Sequence, residues 1–180
     1  MKNVNWESVQ DDVRKPVPGG YAARITRVED LEDKEYLKIE WEFADGEFKG
    51  ANKDTMVAFG FWPYAFVQSY KDKALRYFKG FKTAVEKSNP GFVFKNDPQS
   101  LVGKFVGVVL GEEEYIGNDG KVKVRLYVAE KRSGQAIREG DFKIPELKKL
   151  DSSKQNGTTS YSEPAQNFTT ITDDDANMPF

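Results

Sequence analysis

Residues 36–43, Tyr-Leu-Lys-Ile-Glu-Trp-Glu-Phe, alternate without a break: Leu37, Ile39, Trp41 and Phe43 fall on one face, Tyr36, Lys38, Glu40 and Glu42 on the other. A period of two marks a strand with one buried side. The same alternation returns over Lys121–Glu130, with Val122, Val124, Leu126 and Val128 inside and Lys121, Lys123, Arg125 and Tyr127 outside. Asn118-Asp119-Gly120 supplies hairpin-turn chemistry just before it. Tyr21–Val28, after the turn signal Pro18-Gly19-Gly20, reads as a first strand, and Phe105–Leu110 begins a long one running towards Tyr115. Turns at Asp45-Gly46 and Lys49-Gly50 place a third strand near Lys53–Phe59. Only one segment changes period to that of a helix. Ser69-Tyr70-Lys71-Asp72 fits a capping box, Leu75, Phe78, Phe81 and Val85 share a helical face, and Asn89-Pro90-Gly91 ends it.

The order that results is β-β-β-α-β-β. This predicts an all-β domain with one main helix, a five-stranded barrel of the OB-fold kind, in which a small Greek-key barrel often holds an oligonucleotide. After Leu150 the composition shifts to Ser, Thr, Gln, Asn and Gly, with too little apolar area to offset the entropy of ordering. The expected organisation is a domain over residues 1–150 and a disordered C-terminal tail over 151–180.

Charge sharpens this division. The chain as a whole carries −2, but residues 151–180 carry −4 and residues 1–150 about +2. Cysteine and histidine are absent, which removes disulfides, thiolate or imidazole zinc sites and imidazole acid–base chemistry. Glu112-Glu113-Glu114 cannot converge on one ion, because neighbouring strand residues point to opposite faces. No phosphate loop or nucleophile elbow appears, so neither catalysis nor a cofactor nor a metal is expected. The longest apolar runs are too short to span a bilayer, and no apolar segment follows Lys2, so no membrane association and a cytoplasmic setting are expected.

Binding a single strand without reading its sequence needs aromatic faces for the bases and cations for the phosphates. Outward strand positions offer Arg24, Tyr36, Lys38, Lys121, Lys123, Arg125 and Tyr127, and Lys131 ends the last strand. A second source is residues 59–66, where five of eight are aromatic; Trp62 and Tyr64, flanking Pro63, are the stacking candidates there, with Phe61 and Phe66 assigned to the core.

The last eight residues carry the sharpest signal. Asp173, Asp174 and Asp175 precede a short spacer, Met178, Pro179 and Phe180. A phenyl ring stiffened by proline suits an apolar pocket, and carboxylates suit its basic rim. This ending resembles the acidic tip of bacterial single-stranded DNA-binding proteins, although Ala176-Asn177-Met178 stands where those have one apolar residue. Pro18-Gly19-Gly20-Tyr21, Glu35–Ile39, Gly46–Gly50 and Ser69–Leu75 resemble a family of phage and prophage proteins of Gram-positive bacteria, often found beside recombination genes and regarded as single-stranded DNA binders. The likeness covers most of residues 6–150. It implies an OB domain that coats single-stranded DNA in the host cytoplasm, a tip that recruits replication or recombination proteins, and a homo-oligomer as one of the assemblies open to such domains. A protein-interaction adaptor built on the same barrel is the alternative.

Overall fold

The computed structural model describes residues 14–150. Trp6 and the whole of 151–180, including the Asp173–Phe180 segment, lie outside the described residues. Five strands form one antiparallel sheet in the order β3-β2-β1-β4-β5. They are β1 (Gly19–Leu31), β2 (Tyr36–Phe43), β3 (Phe66–Ser69), β4 (Phe105–Ile116) and β5 (Val122–Arg132). A nine-residue helix, α1 (Ala51–Phe59), precedes β3; the main helix, α2 (Leu75–Ser88), precedes β4; and a short α3 (Gly134–Glu139) follows β5. This is an OB-like all-β fold with one main helix, and β3 and β5 leave it open as a barrel.

The long β1 pairs its first half with β4 and its second half with β2, and a bulge between Ile25 and Arg27 marks the change of partner. A bulge bends and twists a strand, which lets one strand serve both sides of a curved sheet. The alternation read in β2 holds throughout: Leu37, Ile39, Trp41 and Phe43 are all buried, facing Ala23, Ile25, Val106, Val108 and Leu110. Phe81, Ala84 and Val85 of α2 close the open end, with Phe81 edge-on to Phe66 of β3 at 5.9 Å.

Three local expectations fail. Residues 53–59 form α1, not a strand. Its capping group comes from another element: the Glu42 carboxylate, on β2, accepts from the amides of Asn52 (3.1 Å) and Lys53 (2.7 Å). Those first-turn amides would otherwise lack partners. The buried Asn52 side chain donates to the Trp41 carbonyl at 2.8 Å, fixing the helix to the sheet. The third strand therefore falls later, at Phe66–Ser69. The capping box does not form either, because Ser69 ends β3; its hydroxyl meets the Glu35 carbonyl and accepts from Lys71 N, both at 3.2 Å, and α2 begins after a single 3-10 turn.

Candidate nucleic-acid interface

The face of the sheet turned away from the core divides into two halves. Over β1, β4 and β5 it is covered. Ile137 of α3 lies above Gly107, Phe142 above Gly20 and Pro145 above Gly111, and a Cβ on any of these glycines would come within 2.4–2.5 Å of the side chain above it. Val109, between two of these glycines on β4, is fully buried as a result. The covering segment then joins the sheet: Lys148 N donates to the Glu112 carbonyl and Glu114 N to the Lys148 carbonyl, both at 2.9 Å. Over β2, β3 and the second half of β1 no such cover exists among the described residues.

The sequence candidates fall into five places. Arg24, Tyr36 and Lys38 share the open half. Arg24 is exposed and sits opposite Glu42 on β2 and Phe105 on β4. Glu42 is occupied by α1, and Arg24 makes no ion pair with any described residue. Tyr36 and Lys38 are half-buried and face Ser69 and Val67 of β3. This half is not uniformly basic, since Arg27 pairs with Glu40 at 3.5 Å and Glu29 stands opposite Lys38.

Lys121 and Lys123 lie at the tip of the β4–β5 hairpin, where Lys123 pairs with Asp119 at 3.2 Å. The hairpin projects far enough that Val122 is 57% exposed and Val124 50%, so these two, expected inside, are not core. Arg125 and Tyr127 belong to the covered half. The Arg125 guanidinium meets buried Glu113 at 2.8 Å and stacks near Tyr115 at 5.0 Å; the Lys148 ammonium lies 4.0 Å from Glu113 and 5.9 Å from the Tyr127 ring. Burial first, and the Glu113 charge second, raise the Tyr127 phenol above its ordinary pKa.

Trp62 and Tyr64 are pinned to Trp41. The Trp62 indole donates to the Trp41 carbonyl at 2.9 Å, and the Trp41 indole donates to the Tyr64 carbonyl at 2.6 Å. Tyr64 is half-buried against Trp41 and Phe43, and burial raises its pKa. The exposed aromatics of this stretch are instead Phe59 (65%) and Phe61 (48%), stacked on each other with centroids 6.3 Å apart. Phe61 is therefore a surface residue, whereas Phe66 is core as expected.

Lys131 faces inward. It pairs with Val108, a core residue, and its ammonium lies 5.3 Å over the Phe66 ring, bridging the gap between β5 and β3. Burial lowers its pKa to about 8. A bulge explains the reversal: Leu110 pairs with Val128 but Val109 with Glu130, so the alternation of β5 changes phase at Ala129.

Sequence reasoning missed a further group at the edge of the open half, comprising Phe92, Lys104 and Phe105. No motif marks it, because α2, its following turn and the start of β4 assemble it in space. Among the described residues no cluster of acids is placed to hold a metal, and no helix is long and apolar enough to cross a membrane. No protein-family model matches the chain, and no curated protein matches it.

Proposed function

We propose that this protein binds single-stranded DNA without base-specific readout, in phage or prophage replication and recombination within a bacterial cytoplasm. On this reading segment 173–180 recruits partner enzymes, and the chain is not itself an enzyme. The observation that carries it is the one-sided covering of an OB-like sheet. OB folds take oligonucleotides on the face of their second and third strands and on adjoining loops. Here that face is the one that no described residue covers, with Arg24, Tyr36 and Lys38 upon it and Lys121 and Lys123 on the hairpin beyond. The likeness of the Asp173–Phe180 segment to acidic recruiting tips supports the second half of the reading.

The test is a polarisation titration of labelled dT oligonucleotides with the full chain at two salt concentrations. Binding that weakens steeply with salt, and that duplex DNA does not displace, supports the proposal. Absence of binding at low salt, even after removal of residues 173–180, overturns it. One observation favours the adaptor alternative: Met56, Val57, Phe59 and Phe61 expose apolar surface together on and just after α1. An adaptor would show no salt-sensitive affinity for poly-dT.

A further inference from the structure

A shallow cleft of about 620 Å³ lies between the end of α2 and the start of β4, lined by Ser88, Asn89, Phe92, Lys104, Phe105 and the Pro90-Gly91 turn. No acidic residue lines it. Its aromatic wall is Phe105, which is 45% exposed although it opens a central strand. The Phe105 backbone is clamped: Asn89 donates to its carbonyl at 2.8 Å and accepts from its amide at 3.0 Å, while also donating to the Val85 carbonyl at 2.7 Å. One side chain thus locks the ring's attachment point to the last turn of α2.

Two cations stand beside this ring. Gly103 N donates to the Ile25 carbonyl at 2.8 Å and Ile25 N to the Lys104 carbonyl at 2.9 Å, which sets Lys104 alongside Arg24. The Lys104 ammonium lies 4.7 Å over the Phe92 ring, and Arg24 is the cross-strand neighbour of Phe105, its guanidinium against Gly103. Neither cation forms an ion pair with a described residue. Elsewhere on the sheet most cations are neutralised locally, as Arg27, Lys123, Arg125 and Arg132 are.

We infer that this cleft is a nucleotide subsite for the single strand: a base stacks on Phe105, and the adjoining phosphates meet Lys104 and Arg24. A rigid aromatic face without competing acids suits a base, and the two cations at its rim suit phosphate, neither having to give up an ion pair to a described residue first. The subsite rests on the proposed DNA-binding function and extends its track from the open half of the sheet to the end of α2.

Full-length protein, Phe105→Leu, and the double variant Arg24→Gln/Lys104→Gln are titrated with a labelled dT oligonucleotide at low and moderate salt. Phe105→Leu is expected to weaken binding by roughly tenfold at both salts, as loss of one stacked base would. The charge variant is expected to weaken binding most at low salt and to flatten the salt dependence by about two phosphate contacts. If the parent chain binds and both variants bind like it, the subsite is wrong and the broader function stands. If the parent chain does not bind, both fall. Phe105→Trp covers the case in which Phe105→Leu unfolds: dT should quench its emission beyond the quenching of the parent chain, and equal quenching overturns the assignment.

Discussion

The covered and open halves of the sheet are built from the same kind of strand, yet they put similar side chains to different uses. Arg125 on the covered half and Arg24 on the open half both point away from the core. The first is held by Glu113, a carboxylate only 6% exposed, beneath residues 141–150. The second makes no ion pair with a described residue. An outward position on a strand therefore says which way a side chain points and nothing about what lies over it. The glycines make the distinction. Gly20, Gly107 and Gly111 let a second layer approach the backbone of β1 and β4, where Arg24, Lys38 and Tyr36 would hold such a layer off.

The largest effect should come from filling one of these glycines. A Cβ at Gly107 would meet Ile137 Cγ1 and also the carbonyl oxygens of Ser133 and Arg132, two of which are backbone atoms unable to swing aside. Gly107→Val is expected to cost about 2–3 kcal/mol in urea unfolding. Lys38→Val, which puts the same side chain on the open half in place of a longer one, should stay within about 0.5–1 kcal/mol. Equal losses at the two sites would erase the difference between the halves.

Lys131 tests the edge where the barrel stays open. Its folded pKa of about 8 lies below the ordinary 10.5, so folding below pH 8 carries the full penalty of burying an ammonium. Between about pH 8 and 10.5 the folded chain has released a proton that the unfolded chain still holds, and stability rises with pH; above that window the penalty is gone. Lys131→Met, which keeps the contact with Phe66, should stabilise the protein by about 2 kcal/mol at pH 7, after allowance for partial solvent access. The gain should shrink as pH passes through this window. A variant less stable than the parent at pH 7 would mean that the ammonium–ring contact outweighs desolvation.

Lys131 and the segment 53–59 mark where the sequence stops being legible. Alternation in 36–43 identified every inward residue of β2, and Asn118-Asp119-Gly120 and Asn89-Pro90-Gly91 marked a turn and a helix end, because those signals are local. Lys131 points inward because one extra residue at Ala129 inverts the phase of β5, and no turn residue announces it. Residues 53–59 were misread because the group that caps α1 is Glu42, ten residues upstream and on a strand. In the candidate site the same rule holds. Arg24, Tyr36 and Lys38 follow from alternation, whereas the covering of Arg125 and Tyr127 and the meeting of Phe92, Lys104 and Phe105 depend on how distant segments pack.

Arg125 and Lys38 give the finest comparison, since both were candidates for the same DNA track. Arg125→Gln leaves the buried Glu113 carboxylate with only Lys148 at 4.0 Å, and should lower stability by roughly 1–2 kcal/mol. Adding Glu113→Gln should recover part of that loss, because it removes the stranded charge. Neither change should alter dT affinity by more than about twofold, given that the guanidinium is engaged and partly covered. Lys38→Gln should behave in the opposite way, leaving stability within about 0.5 kcal/mol while weakening dT binding by a few-fold and reducing its salt dependence by about one contact. Urea unfolding and oligonucleotide titration on the same preparations separate the two outcomes. If Arg125→Gln weakens binding as much as Lys38→Gln does, the strand runs over the covered half, and residues 141–150 must move aside to admit it.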